Sequence, residues 1–398
     1  MSDDSMGLIE APRMNTRVLG RVRGESAGPT FIGLAGIHGN EGAGVEAARR
    51  VLARFEGGGP KLCGDLVLLA GNLTALSRRA RFVDHDLNRQ WTPEKVAELL
   101  AAGDAARAVE HGEQRELLEA LREVVVCSTE QIYFLDMHTC SADGPPFMTV
   151  GDTLRNRRLA QSIPLPLILG LEEQVDGALL ELLNNHGFVT MGVEAGQHDA
   201  PASVDHLEAV LWLAIAGAGL VRADAVPGYD SFRSRLAAAT NGAPRIVEVR
   251  HRHPVQVRQD FRMEPGFTNF MAVRKGQVLA HERGAPVRAR ETGMILLPLY
   301  QGLGNDGFFL CREVRPFWLS VSWLLRRLRL NGLVHWLPGV RRDRRRPEVL
   351  IVNTRVARIY PLEIFHLLGF RKIRQSGTEL LVIRRRFDLR SPSTITFP

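Results

Sequence analysis

The sequence predicts an α/β protein. A mostly parallel or mixed sheet with helices on both faces is followed by a small all-β domain and a basic α+β tail. Three observations carry this. From about Thr30 to Leu220, apolar runs of strand length alternate with helix-period segments, the pattern of strand–helix crossover units. From Pro244 to Leu310 that pattern gives way to short β-prone pieces separated by turns such as Arg274-Lys-Gly276 and Glu291-Thr-Gly293. From Arg312 onward the chain is strongly basic. The expected boundaries are 1–225 for the α/β domain, 244–311 for the β domain and 312–398 for the tail.

The strands of the first domain are expected at Phe31–Ile37, Leu66–Ala70, Ile132–Met137, Leu165–Leu169 and Phe188–Val193. Each is a short apolar run suited to a buried strand. Helices are expected at Val45–Phe55, Pro93–Leu100, Ala105–Val124, Leu154–Gln161, Ala178–Asn184 and Val204–Ala218. Pro93 suits a first helical turn with Thr92 as N-cap. Ser77–Trp91 is polar, Arg-rich and without a clean period, so it reads as a loop. Ala223–Gly242 reads as a polar connector. In the β domain, strands are expected at Ile246–Val249, Phe267–Val273, Gln277–Leu279, Val287–Ala289, Met294–Leu297 and Phe308–Leu310. In the tail, Pro316–Leu330 reads as a basic, aromatic-rich helix, Val349–Val352 and Leu380–Ile383 as strands, and Glu363–Leu368 as a short helix.

A length of 398 residues holds two or three ordinary domains, and 45% hydrophobic with 24% charged residues is a globular composition. Cys63, Cys127, Cys140 and Cys311 are scattered without a CxxC, which argues against a disulfide framework and suits a reducing compartment. The acidic start Met1–Gly7 does not resemble a leader, and no apolar run approaches the roughly 20 residues of a membrane span. A cytoplasmic location is the expectation. The net charge of +7 is uneven: residues 312–398 carry 19 basic and 6 acidic residues, a net of +13, and the preceding stretch carries 32 and 38, a net of −6. The basic balance therefore belongs to the tail. It suggests either contact with an acidic surface or a packed subdomain with solvated arginines.

The most informative stretch is His38-Gly-Asn-Glu41, directly after the first apolar run. A His and a Glu three apart on a tight loop can face one metal ion. The strand ending in His138 adds a second imidazole at another strand end, where open α/β sheets place their ligands. Two imidazoles and one carboxylate are a common ligand set for catalytic zinc. Asp136, two residues before His138, shares its sheet face and can either orient that imidazole or make a structural hydrogen bond. Cys140 reads as a small buried residue. The loop holding Arg81, Asp84, Asp86, Asn88 and Arg89 offers multi-donor contacts to a carboxylate, although its two aspartates can pair with the arginines internally. Glu194, in Gly192-Val-Glu-Ala-Gly196, is either a proton carrier beside the metal or an ordinary strand-end Glu in solvent. His251 and His253 read as surface residues of the β domain. Phosphate-loop chemistry finds no motif here: there is no Walker-type run.

In order, Gly36-Ile-His-Gly-Asn-Glu41, Arg81, Asp86-Leu-Asn-Arg89, Asp136-Met-His-Thr139 and Glu194-Ala-Gly196 resemble the succinylglutamate desuccinylase/aspartoacylase family. The resemblance runs from about Phe31 to about Leu310, and Leu297–Leu310 fits its C-terminal end. It implies a zinc-carboxypeptidase-like α/β domain followed by a small β domain. It implies one zinc ion, Zn(2+), per chain on His38, Glu41 and His138, with Glu194 as general acid/base. Arg81 would polarise the scissile carbonyl and hold the oxyanion, while Asn88 and Arg89 would hold the substrate carboxylate. The implied function is a zinc-dependent amidohydrolase that removes an N-acyl group from an amino acid or related small amide by metal-activated water. The alternatives are a zinc carboxypeptidase or esterase on the same scaffold, or a non-catalytic binding protein acting through its basic tail. Family members resembling aspartoacylase carry a further substrate-binding Arg shortly before the catalytic Glu. Leu182–Gly187 has none, so no large preference for acidic amino acids is expected. The tail lies outside the resemblance.

Overall fold

Two fully apolar runs decide the architecture. Phe31–Ala35 and Phe134–Leu135 have no room for a solvated face, so the strands that carry them sit inside a sheet covered on both sides. The computed structural model describes residues 16–103, 108–240, 242–357 and 362–398. The acidic start Met1–Gly7 and the first three residues expected of the helix over Ala105–Val124 lie outside the described residues.

In chain order the first half runs β1 (Val18–Arg23), β2 (Ser26–Ala35), α1 (Ala43–Glu56), β3 (Cys63–Ala70), α2 (Leu73–Arg78), α3 (Pro93–Ala102), α4 (Val109–Cys127) and β4 (Ile132–Cys140). It continues with β5 (Phe147–Thr149), α5 (Leu154–Ala160), β6 (Leu167–Leu169), α6 (Leu179–Asn185), β7 (Val189–Gln197), α7 (Pro201–Gly217) and α8 (Tyr229–Ala239). The next segment is β8 (Ile246–Pro254), β9 (Phe261–Met263), β10 (Ala272–Val273), β11 (Val278–Glu282), β12 (Ala285–Arg288), β13 (Gly293–Leu296) and β14 (Asp306–Glu313). The tail holds α9 (Pro316–Arg327), β15 (Val340–Arg342), β16 (Val349–Asn353), α10 (Leu362–Leu367), β17 (Phe370–Ser376) and β18 (Glu379–Arg384).

The main sheet has eleven strands in the order β1-β3-β2-β4-β7-β5-β6-β8-β14-β13-β10. Its centre, β3-β2-β4-β7, is parallel. The two-residue period of a strand divides the core. Phe31, Ala35, Leu66 and Leu68 face one side with α1, α7 and α8. Ile32, Leu34, Val67, Leu69 and Phe134 face the other with α3, α4 and α6. This is the mixed α/β sheet, covered on both faces, that the alternating pattern predicts.

The segment after α8 does not start a separate sheet. β8 pairs with β6 in parallel and with β14 antiparallel, so β8, β14, β13 and β10 continue the main sheet. Only β9, β11 and β12 form a sheet of their own, over the core of Phe261, Leu279, Ile295 and Phe308. The connector expected over Ala223–Gly242 contains helix α8. Just two of its residues are buried, Phe232 and Leu236, one turn apart. That stripe is too thin to stand out from a polar segment opening with Pro227-Gly228.

The tail folds as a four-stranded sheet, β15-β16-β18-β17, with its own core of Val352, Phe365, Phe370 and Val382. It is fastened to the first domain by buried charge. Arg326 of α9 has no exposed surface. It reaches Asp152 Oδ2 at 2.8 Å, the Asp152 carbonyl at 2.7 Å and Asp388 Oδ1 at 3.2 Å. Arg385 lies 2.6 Å from Glu172 and 2.9 Å from Glu173, and His366 bridges Glu173 at 3.1 Å and Glu248 at 3.0 Å. Buried charges in such a network are paired because an unpaired one would be strongly unfavourable.

Candidate metal centre and active-site cavity

The loop after β2 is shaped by two glycines. Gly36 turns the chain at φ +68°, a conformation a side chain disfavours. At Gly39 a Cβ would lie 2.0 Å from the Ala75 carbonyl carbon, so only glycine lets this loop cross α2. Gly39 N–H donates to the Arg81 carbonyl at 3.2 Å, tying the loop to the next functional segment. His38 and Glu41 are thereby aimed at the end of β4, where His138 pairs in register with Glu194 of β7.

Glu41 is 2% exposed. Its Oε1 lies 2.8 Å from His38 Nδ1 and its Oε2 lies 2.9 Å from His138 Nδ1. Behind each ring stands a further carboxylate. His38 Nε2 is 3.2 Å from Asp86 Oδ1 and His138 Nε2 is 2.9 Å from Asp136 Oδ2. The Asp136 contact has ion-pair distance but not hydrogen-bond geometry, and both Asp136 oxygens are otherwise unpartnered and buried. Burial opposes charge on Glu41, His138 and Asp86, and the local charges override it. Burial raises the Glu41 carboxyl, but His38 and then His138 hold it well below the usual range. Burial lowers the His138 imidazole, but Asp136 and then Glu41 hold it well above its ordinary value. Asp86 is likewise held low, by Arg81 and then His38 against burial.

This donor set fits a divalent cation. One ligand atom each from His38, Glu41 and His138 lies within 4.8 Å of the other two. Both imidazoles face the shared carboxylate through Nδ1, and a carboxylate stands at the opposite nitrogen of each, as metal-bound histidines require. Among the described residues it is the one such cluster.

Arg81 is 12% exposed and lies 3.1 Å from Asp86 Oδ2 and 3.6 Å from Glu41 Oε1. Burial opposes its charge, but Asp86 and Glu41 raise its pKa further. Its loop is organised by a residue the sequence reading did not single out. Glu110 of α4, fully buried, accepts the N–H groups of Val83, Asp84 and His85 at 2.7, 2.9 and 3.1 Å and the Asn72 side-chain amide at 3.0 Å. The available signal was an acidic residue in a helix's first turn, common to most helices. Asn88 is buried, and its Oδ1 accepts from Leu179 N–H at 3.0 Å. Arg89 Nη2 lies 2.7 Å from Asp306 Oδ2, and Arg252 holds the other oxygen, Oδ1, of the same carboxylate. The fork expected to hold a substrate carboxylate therefore already has one internal acidic partner.

Glu194 lines the cavity, and its Oε2 is buried without a hydrogen-bond partner. Burial is the largest influence on it and pushes its carboxyl up to about 8, against the pull of His138 and with the push of Glu41. It is not an ordinary solvated strand-end Glu. Cys140 is a buried thiol, pushed up by burial and accepting from Asn269 Nδ2 at 3.3 Å. His251 and His253 do not line the cavity, and His253 pairs with Glu282 at 3.2 Å.

One cavity of about 930 Å³ joins His38, Glu41, Arg81, Asn88, Arg89, His138 and Glu194. Its far wall comes from the tail, through Arg371, Arg384, Arg385 and Arg386. Arg371 pairs with Glu181 of α6, and Arg385 with Glu172 and Glu173. Arg384 and Arg386 are exposed. Leu182–Gly187 offers the cavity no arginine; its additional arginines come from the tail, through Arg371 and Arg384–Arg386.

The family model for the Succinylglutamate desuccinylase/Aspartoacylase catalytic domain matches residues 27–204. These residues are similar to that catalytic domain. The succinylglutamate desuccinylase of Pseudomonas aeruginosa is 34% identical over 106 residues, 26% of this chain and 29% of that protein. That of Photorhabdus laumondii is 29% identical over 131 residues, 33% and 39% of the two chains. The chain thus spans about a third of the curated relatives it matches. Solved structures agree on the fold. A succinylglutamate desuccinylase/aspartoacylase from Rhodobacter sphaeroides superposes with TM-score 0.53 at 17% identity, covering 75% of this chain and 89% of that one. The succinylglutamate desuccinylase of Vibrio cholerae gives 0.51 at 18%, with 75% and 86% covered. The succinylglutamate desuccinylase/aspartoacylase match ends at residue 204, and the metal-ligand candidates, Arg81, Asn88, Arg89 and Glu194 all fall within it.

Proposed function

We propose that the chain is a zinc-dependent amidohydrolase that removes an N-acyl group from an amino acid or a related small amide. One observation carries this reading: a buried carboxylate, Glu41, lies between two imidazoles and shares a cavity with a carboxyl, Glu194, raised to about 8. Held by His38, Glu41 and His138, one zinc ion would supply the positive charge that acidifies water and polarises a carbonyl.

The protein's own groups do the rest. Asp86 holds the ring of His38 by a hydrogen bond, and Asp136 sets a negative charge beside the ring of His138. Glu194 takes a proton from the attacking water and returns it to the amine nitrogen as the C–N bond breaks. A carboxyl near neutral pKa serves both directions. Arg81, buried and permanently charged, holds the oxyanion that forms as the carbonyl carbon becomes tetrahedral. Because Asn88 Oδ1 is spent on Leu179, its Nδ2 is the group left to donate to a substrate carboxylate. Arg89, oriented by Asp306, adds charge to that contact.

The test is turnover by the zinc-loaded full chain. Succinylglutamate, named by the curated relatives, and a panel of N-acetyl amino acids are supplied, and free amine is measured. Amine release is expected from at least one. Glu194→Gln should retain zinc and lose at least about a hundredfold in turnover, the scale of general acid–base assistance. Full zinc occupancy with no amine release from any of them would overturn the reading.

A further inference from the structure

Helix α9 is amphipathic in the wrong sense for a solvent-facing helix. Its buried residues are Ser322 and Arg326. Beside Ser320 and Arg327, its exposed residues are apolar: Phe317, Leu324 and Leu328, seven and four residues apart, fall on one stripe and are 65%, 50% and 60% exposed. Trp318 and Trp323 flank the stripe at 45% and 46%, and the following 3-10 segment Leu330–Trp336 adds Leu333 at 48% and Trp336 at 75%. Exposed apolar side chains gathered in this way mark an interaction surface.

Along the sequence the charge here has one sign. From Val314 to Arg342 the chain contains six arginines, of which Arg326 is buried, and no Asp or Glu. Arg327 lies over the Trp323 ring at 5.0 Å, so its cation sits at the edge of the apolar stripe. Arg315 and Arg329 are exposed at the two ends of the helix. The helix is neither long nor apolar enough to cross a bilayer.

We propose that this face docks on an anionic phospholipid surface, with α9 lying in the interface plane. Arginine meets phosphate, tryptophan sits at headgroup level, and Phe317, Leu324 and Leu328 enter the acyl boundary. The pairing of exposed tryptophans and aliphatic side chains with arginines favours an anionic bilayer, whose headgroups carry the opposite charge and whose acyl chains accept the apolar groups. The aliphatic residues favour lipid over nucleic acid, whose bases stack on aromatic rings and leave leucines without a partner. No residue of α9 or of Leu330–Trp336 lines the active-site cavity.

The test is sedimentation of the full chain with vesicles of phosphatidylcholine and phosphatidylglycerol in equal parts, against phosphatidylcholine alone. Binding to the anionic vesicles only, weakened by salt, is expected. The double variant Leu324→Glu/Leu328→Glu changes exposed positions, so its circular dichroism and unfolding midpoint should match the parent. Its vesicle affinity should fall at least about tenfold, through lost apolar insertion and added repulsion. The proposal is overturned if the parent does not sediment with anionic vesicles, or if the folded double variant sediments equally well. It is also overturned if the parent is a dimer that the variant breaks without any vesicle binding, or if single-stranded nucleic acid is bound in place of vesicles.

Discussion

Arg326, in the tail, and Asp152, just before α5, form a fully buried pair at 2.8 Å between segments 174 residues apart. Arg157 also holds Asp152, and burial of the carboxylate is outweighed by these two cations, which hold it well below its usual range. Removing one partner of such a pair leaves buried charge uncompensated. Arg326→Ala should therefore cost about 3 kcal/mol or more, the usual penalty for breaking a buried pair. Urea unfolding of parent and variant measures it. A loss within the scatter of surface substitutions would show that the tail is only loosely attached.

Glu110 should matter to turnover although it touches no ligand. Glu110→Gln retains one acceptor oxygen for the N–H groups of Val83, Asp84 and His85, and loses the charge. Weakening charge-assisted hydrogen bonds of about 1.5–3 kcal/mol should loosen the loop carrying Arg81. The expected result is kcat/KM lowered roughly tenfold with zinc content unchanged. Metal analysis beside kinetics separates this from a ligand defect.

His38→Ala and His138→Ala should each lose metal and turnover together. Asp86→Ala should keep the ligands yet weaken metal affinity by about tenfold to a hundredfold, the range for partners of metal-bound histidines. Competition with a chelator reads both. Full occupancy in the two histidine variants would remove those residues from the ligand set.

Stability should decline in alkaline solution, through His366. Burial lowers its pKa, but Glu173 and Glu248 outweigh burial and raise it to about 9. A group with a raised folded pKa contributes fully below its unfolded value, near 6.5, and its contribution is lost as pH rises through the folded value. The contribution is on the order of 3 kcal/mol at acid to neutral pH. The unfolding midpoint should fall between about pH 6.5 and 9, and His366→Asn should flatten that slope. An unchanged slope in the variant would assign the pH dependence elsewhere.

Arg384 and Arg386 bear on substrate choice. If they meet a second carboxylate, Arg384→Ala/Arg386→Ala should raise KM for N-acyl derivatives of acidic amino acids by about tenfold while sparing neutral ones. Equal effects on both classes would leave the expectation of no acidic preference standing.

The metal-ligand candidates were legible because His38 and His138 directly follow apolar runs that had to be strands and Glu41 shares the short loop after the first, so the sheet itself brings the three together. The central strands and most helices were legible for the same reason. Glu110 was not, because nothing local distinguishes it from Glu113 or Glu116; only the folded loop supplies its three donors. Nor was Arg326. In the run Arg326-Arg327-Leu-Arg329 the three cations look alike, yet one is fully buried and two are exposed. Phe147–Thr149 is too short to read as a strand alone and becomes one by pairing with β7 and β6.

The cavity wall has a consequence for how the protein comes into being. A growing chain acquires His38, Glu41, Arg81, His138 and Glu194 in its first half, and the sheet that positions them is hydrogen-bonded through β14. Arg371, Arg385 and Thr394 close the far side of the same chamber. A nascent polypeptide paused after β14 would thus hold its reactive groups in an open trough. The chamber would acquire its full lining late in synthesis, after β18.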